Sequence, residues 1–399
     1  MNEQVLPVPA PSEAPDRPGR IAIVCNGCVP GSRLPSGAQG LRAQGLHLGL
    51  RASGHDCDIV TRRSTVRAQL DRWNAPSMRF PGHWRVIPDE RLEARLKADY
   101  ATIIFIGWVG IDAFAKAPGQ RIVYDFFSPS MVEHSFISSG GRLEAKRSKK
   151  EELIAQADLL IANGTGRAEY GADYMRARPP LVHLPAPLSV RLALPWAGDA
   201  AMTEAPAQGN PAQGPAREGP LRVFFGGFDQ AWTRGLDAGA LEDLADLGGV
   251  EVTAIGVGEH LHFHDRASRQ RPRRPQGRVV YRDVAAFEAY RRLNAGSHIS
   301  LDVFERNAER ELCYSTRAIT SLCNGCPVIT MAFTEVGQLV AETGAGWVLE
   351  EFSLPAIRDL VARLASDREE VRARARNTRT FWERHCDPEH EIRPLVEVL

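Results

Sequence analysis

Long hydrophobic runs are missing from this chain of 399 residues. None approaches the roughly 20 apolar residues a transmembrane helix needs, so no helical membrane span is expected. A charge excess of either sign is missing too: 49 Lys and Arg balance 49 Asp and Glu, for a formal net charge of zero. No global field therefore favours nucleic acid as a partner. Residues 1–19 hold no apolar signal core; they are polar and proline-rich and read as a disordered N-terminal tail. Seven cysteines, an odd number in so large a chain, do not make a disulfide framework. A reducing cytoplasm is the simplest setting.

What is present is ordinary globular material, 43% hydrophobic and 25% charged. The chain is too long for one typical core and comfortable for two. Its first half alternates apolar runs with helical segments. Ile21–Cys25, Cys57–Val60, Thr102–Ile106, Ile122–Asp125, Leu159–Ala162 and Leu181–Leu184 read as strands. Gly37–Ala52 has helical periodicity through Leu41, Leu46 and Leu50, stopped by Gly54-His55. Strand runs without polar alternation, separated by helices, imply parallel sheets covered on both faces.

Composition shifts at 196–219, a tract rich in Ala, Pro, Gly and Gln that reads as a flexible linker. The pattern then repeats. Arg222–Gly226, Val250–Val257, Val279–Tyr281, His298–Val303, Val328–Thr330 and Gly346–Leu349 read as strands, and 354–365 and about 367–385 as charged amphipathic helices. The expected organisation is an α/β chain of two Rossmann-like, doubly wound parallel-sheet domains facing each other across a cleft. The first spans 20–195 and the second 220–366, and the helices of 367–399 have the option of crossing back to the first.

Residues 307–330, NAERELCYSTRAITSLCNGCPVIT, carry the most information. They read as polar loop, helix, glycine stop and buried strand. Tyr314, Ser315 and Thr316 stand at the helix start, where unpaired N–H groups and partial positive charge suit a phosphate. Arg317, in the first turn, adds a fixed cation for a diphosphate. The segment resembles the C-terminal signature of GT-B glycosyltransferases, especially family-four-like enzymes (glycosyl transferases group 1). Ser315, Thr316, Arg317, Gly325, Pro327 and Val328 match it. Thr320 stands where that family carries an acid that binds the donor ribose. The usual Glu-x7-Glu register is absent, so Glu309 and Glu311 are the candidates for the acid that contacts the donor sugar, or else helix-start carboxylates favoured by the dipole.

The resemblance extends to other loops. Pro35, Ser36, Gly37, Ala38, Gln39 and Gly40 are similar to the family's Pro-x-Gly-Gly loop, with Ala38 in place of the second glycine. They follow the first strand, at the carboxyl end where open sheets bind ligands. The spacing is not the dinucleotide fingerprint GxGxxG. Gly226-Gly227 ends the first strand of the second half, and Arg234 matches the family's basic residue for the donor phosphates. Arg234 and Arg317 together imply charge stabilisation without a metal. Pro35, Ser36 and Gln39 fall on the acceptor side. So does the segment 63–86 with Trp73 and Trp84, read as irregular. Gly37, with Gly226 and Gly227, falls on the donor side. Asp125 and Glu133 sit at a strand end, where each either orients an acceptor hydroxyl, acts as a base or, for Asp125, caps the next element.

Other signals have plainer readings. Asp56-Cys57-Asp58 looks like a metal-binding Asp-x-Asp but opens a strand, at the end opposite the cleft. His260, His262 and His264 alternate as metal ligands do, yet donor contact or a solvated loop explains them as well. CNGC occurs at Cys25–Cys28 and Cys323–Cys326, on opposite ends of different sheets, which argues against a shared zinc. Arg142, Lys146, Arg147, Lys149 and Lys150 form a basic helix face, read either as solvated or as contacting anionic lipid.

What the resemblance implies is a retaining, metal-independent hexosyltransferase-like enzyme of polysaccharide biosynthesis or small-metabolite glycosylation. Its partners would be a nucleotide-sugar donor and a hydroxyl acceptor, soluble or lipid-linked at the inner face of the membrane. The donor is a co-substrate, so no cofactor is expected. A GT-B-type nucleotide-sugar epimerase and a non-catalytic nucleotide-sugar-binding subunit are the alternatives, the second motivated by Thr320.

Overall fold

Every residue of Ile21–Val24 (β1) is buried, as an apolar run without polar alternation requires of a strand covered on both faces. The computed structural model describes residues 19–107, 114–129, 132–133, 141–164, 187–198, 219–226, 235–255, 279–282 and 286–399. In it β1 lies inside a seven-stranded parallel sheet, between β2 and β4, in the order β3-β2-β1-β4-β5-β6-β7. The other strands are β2 (Cys57–Arg62), β3 (Trp84–Ile87), β4 (Thr102–Ile106), β5 (Arg121–Phe126), β6 (Leu159–Ala162) and β7 (Leu188–Ser189). Helices α1 (Ala38–Ala52), α2 (Arg63–Arg72), α3 (Leu92–Asp99) and α4 (Gly141–Ala155) connect them.

The second sheet holds six parallel strands, ordered β10-β9-β8-β11-β12-β13. These are β8 (Leu221–Gly226), β9 (Val250–Ile255), β10 (Val279–Arg282), β11 (Ile299–Asp302), β12 (Val328–Met331) and β13 (Gly346–Leu349). Around them lie α5 (Ala238–Ala245), α6 (Phe287–Ala295), α7 (Ala308–Leu312), α8 (Thr316–Cys323), α9 (Glu335–Thr343), α10 (Leu354–Ser366) and α11 (Arg368–His385), with α12 (Pro388–Glu391) and α13 (Arg393–Val396) at the end. Strand order reverses direction between β1 and β4 and again between β8 and β11. In open parallel sheets the crevice at such a switch point, beyond the strands' carboxyl ends, is where ligands bind.

The halves share apolar packing. Leu41, Leu192 and Leu194 of the first half join Tyr314, Ile319, Leu322 and Phe381 of the second in one buried cluster. Ile392 and Leu395, from the C-terminal helices, enter the core of the first sheet beside Ile21 and Leu50. Arg121 Nη1 ties the chain end by donating to the carbonyls of Val398 (2.6 Å) and Leu399 (2.7 Å).

One expectation is corrected. Residues 63–86 are irregular only in part: 63–72 form α2 and 84–86 begin β3, with an irregular stretch at 73–83 between them. Trp84 is 5% exposed, and its indole N–H donates to Thr61 Oγ1 at 2.8 Å, so it is a core residue. The apolar spacing Val66–Leu70 is a single helical turn among charged residues. Edge strand β3 is fixed by pairing with β2, in the register Ile59 to Trp84. Local periodicity carries neither fact. The expected strand Leu181–Leu184 and nearly all of the tract 196–219 lie outside the described residues. Among the described residues no helix is long and apolar enough to cross a membrane.

Candidate functional site

At the switch point of the second sheet, β8 ends at Gly226 and β11 at Asp302. A Cβ on Gly226 would lie 2.4 Å from the Phe224 ring and 2.5 Å from the Tyr290 hydroxyl, so the backbone approaches where no side chain fits. Asp302 is 1% exposed, and its Oδ1 lies 3.1 Å from Arg317 Nε. Arg317 also stands 5.9 Å from the Phe225 ring centre. The guanidinium is thus held at the mouth of the crevice between two strand ends. Burial pushes the Tyr290 hydroxyl well above its ordinary pKa, with nearby Arg317 opposing. Ser315 caps α8 by accepting the Ala318 N–H at 3.4 Å. The other first-turn N–H groups have no acceptor within the helix.

The first sheet contributes the loop that follows β1. Its cysteines are buried; burial pushes Cys25 up to about 11 and Cys28 up to about 12, so both stay thiols at neutral pH. Gly40 lets the loop fold onto α1, because a Cβ there would sit 1.8 Å from the Cys28 carbonyl oxygen. Gly37, at the helix N-cap, has φ −84° and open space where its Cβ would be. Pro35, Ser36 and Gln39 are half-buried, and the Ser36 hydroxyl makes no hydrogen bond among the described residues. Further along, the Gly31 N–H donates to Glu288 Oε1 at 2.5 Å, joining this loop to α6 of the second half. Beside that bond lies a cleft of about 340 Å³, lined from both halves by Arg33, Arg79, Ala289 and Arg292 among others.

Most of the other nominated residues are buried or already engaged. Asp125 ends β5 but is fully buried: its Oδ2 accepts from Arg42 Nε (2.7 Å) and its Oδ1 from Arg42 Nη2 (3.1 Å). Arg42 Nη1 donates to the Arg191 carbonyl at 2.8 Å. Glu133 is half-buried, its N–H donating to the Pro129 carbonyl at 3.0 Å. Glu309 is fully buried and gripped by Arg310, whose Nη2 lies 2.7 Å from Oε1. Glu311 is exposed and pairs with Arg306. Tyr314 points into the shared core at 2% exposure, its hydroxyl without a partner among the described residues. Thr320, 2% exposed, donates to the Thr316 carbonyl at 2.7 Å, the back-bond that a helical threonine makes to its own helix. Thr316 is half-buried at the helix start.

Lys150 is corrected: it is 3% exposed, its Nζ 5.1 Å from the Phe126 ring, and so is absent from any surface patch. The side chains of Arg142, Lys146, Arg147 and Lys149 lie outside the described residues. So do Gly227, Arg234, His260, His262 and His264. Sequence reasoning overlooked Asp302 and Arg42. Asp302 was accessible to the strand-end rule that nominated Asp125; Arg42 was not, since nothing in α1 marks an arginine for burial.

No protein-family model and no curated protein matches the chain. Solved structures do. A sucrose-phosphate synthase from Thermosynechococcus elongatus superposes with a TM-score of 0.61 at 16% identity, over 95% of this chain and 98% of the other. HepE from Anabaena, in complex with UDP-glucose, gives 0.60 at 12% identity over 95% and 100%. The chain has the GT-B fold. WaaG, a glycosyltransferase involved in lipopolysaccharide biosynthesis, is a further GT-B neighbour, at 0.58 and 13% identity over 93% and 98%. At such identities the likeness is one of architecture. The loop after β1 and the start of α6 face a common cleft, and the Gly31–Glu288 hydrogen bond joins them.

Proposed function

We propose that this GT-B protein moves a sugar from a nucleoside-diphosphate donor to a hydroxyl acceptor. One observation carries the proposal: Gly226, the amino end of α8 and the Asp302-tethered Arg317 meet at the β8–β11 crevice. A departing diphosphate gathers negative charge. A helix N-terminus and a held guanidinium stabilise that charge without reorganising during the reaction. Arg234, in the loop after β8, is the second cation of this reading, and the pair makes a metal unnecessary. The acceptor sits against Pro35, Ser36 and Gln39, where the Ser36 hydroxyl has no partner among the described residues, and the open space over Gly37 faces the donor. Glu133 remains the candidate base. Asp125, locked to Arg42, acts by positioning α1.

A retaining course follows the resemblance in the signature helix. Thr320 is the departure within it, so the ribose contact passes to another residue. The acceptor is a polysaccharide precursor or a small metabolite. The seven free cysteines support a cytoplasmic setting, at the inner membrane face when the acceptor is lipid-linked. UDP-sugars are the first donors to try, because HepE is solved with UDP-glucose. The test is a thermal-shift screen against UDP-, GDP-, ADP- and dTDP-sugars, since a ligand selective for the folded state raises the melting temperature. One nucleotide class is expected to stabilise the wild type, and the Arg234→Ala/Arg317→Ala variant to lose the effect. No shift with any of the four classes, or a shift kept by that variant, would sink the proposal.

A further inference from the structure

The cleft between the halves carries more positive charge than a neutral sugar requires. Arg33 and Arg79 line it from the first half and Arg292 from the second. None of the three guanidiniums has an ion-pair or hydrogen-bond partner among the described residues. Their neighbour Arg291, one position earlier on α6, is by contrast fully engaged, with Asn324 Oδ1 at 2.7 Å and the Pro195 carbonyl at 3.0 Å. Among the described residues the carboxylate that lines the cleft is Glu288, and its Oε1 already accepts from the Gly31 N–H. Among the described residues three exposed guanidiniums stand against one carboxylate, a local positive excess that an anion among them would neutralise. Arg33 in addition holds φ at +65°, a left-handed backbone that a non-glycine residue keeps at ligand clamps and similar over-determined sites.

The size and chemistry of the site point to one class of ligand. About 340 Å³ falls within the roughly 300–1,000 Å³ of small-molecule pockets. Guanidinium forks match phosphate and carboxylate alike. A carboxylate offers two oxygens, whereas a terminal phosphate offers three, one for each arginine. We infer that the cleft is a phosphate subsite and that the acceptor is a phosphorylated compound, held between the halves by Arg33, Arg79 and Arg292. The anion site stands on this geometry; calling its occupant the acceptor rests on the transferase reading above.

Isothermal titration at fixed ionic strength tests it, with glucose 6-phosphate, inorganic phosphate and neutral glucose as probes. Wild type is expected to bind both phosphates and not glucose. Losing one charge-assisted fork should weaken phosphate binding about tenfold in each of Arg33→Gly, Arg79→Gln and Arg292→Gln. Arg33→Gly also removes the backbone strain, so misfolding does not mimic the loss. Arg63→Gln, an exposed arginine that does not line the cleft, should bind as wild type. Absence of phosphate binding by wild type, or binding undiminished in Arg33→Gly/Arg292→Gln, overturns the inference. Sedimentation with phosphatidylglycerol vesicles, lost in that double variant, would assign the phosphate to a lipid headgroup; hexose-phosphate binding without sedimentation would assign it to a soluble acceptor. A UDP-sugar titration on the same samples separates the two claims. Donor binding with no phosphate binding sinks the subsite alone. Phosphate binding with no nucleotide-sugar binding keeps the anion site and sinks its assignment to an acceptor.

Discussion

Arg42 and Asp125 make a two-bonded ion pair with side chains only 1% and 0% exposed. The arginine lies on α1, the aspartate at the end of β5, and a third bond from Arg42 to the Arg191 carbonyl brings in the segment leading to the second half. Removing one partner leaves a buried charge uncompensated. Asp125→Ala is therefore expected to cost about 3–5 kcal/mol, and Arg42→Met/Asp125→Leu less than either single change. Urea unfolding of the three variants checks this. Were Asp125 a free general base, Asp125→Asn would abolish turnover at near wild-type stability. The expected outcome is the reverse, with activity following the folded fraction.

Arg317 combines a structural and a ligand role, and the two separate by mutation. Arg317→Ala strands Asp302 at 1% exposure, at an expected cost of about 2–3 kcal/mol, low for such a pair because Arg317 itself keeps 17% exposure. It should also lose the melting-temperature rise caused by the donor. Adding Asp302→Asn removes the stranded charge, so Arg317→Ala/Asp302→Asn should regain stability but not the ligand response. A double variant that regains both would make Arg317 purely structural.

Acid stability offers a third test. His47 stacks on His83 at 4.2 Å between ring centres, and its Nδ1 lies 3.3 Å from Cys57 Sγ. Burial first, then the charges of His83 and Arg51, pull His47 down to about 4 from an ordinary 6.5, with Asp56 opposing. Burial lowers His83 as well, and lowers His298, beside Arg222, to about 3. The unfolded chain then binds more protons than the folded one between these values. The stability these groups contribute is complete above pH 6.5 and is lost as pH falls toward about 4. Urea midpoints should fall across that window and fall less steeply in His47→Gln; an unchanged slope would exclude His47 as a cause.

The sequence discloses what rests on local pattern. Apolar runs such as Thr102–Ile106 and Leu159–Ala162 are strands over the ranges expected of them, because a doubly covered strand leaves no polar alternation to confuse it. Ser315 before a helix, with Gly325 after it, likewise reads directly as cap and stop. Contacts between distant segments are hidden. Arg42 finds Asp125 across 83 positions. Trp84 is a core strand residue through its pairing with β2. Tyr314 is buried in one cluster with Leu41 of α1 and Phe381 of α11, and no feature of its own loop encodes that.

Two glycines at the start of α1, Gly37 at its N-cap and Gly40 in its first turn, distinguish a ligand cradle from a packing turn. At Gly40 a Cβ would meet the Cys28 carbonyl oxygen at 1.8 Å, so Gly40→Ala must push the loop off α1. That overpacking should cost about 1–3 kcal/mol or more and disturb every function of the loop. Gly37 meets nothing within 4 Å and has φ −84°, a backbone any residue adopts. Gly37→Ala should hold stability within about 1 kcal/mol, the change reflecting only a poorer N-cap. If the space over Gly37 receives the donor or acceptor, the added methyl group intrudes there and weakens ligand binding while the melting temperature of the free protein stays put. Titration of donor and acceptor probes into both variants decides the matter: unchanged affinities in Gly37→Ala would reduce the loop to a turn that packs well.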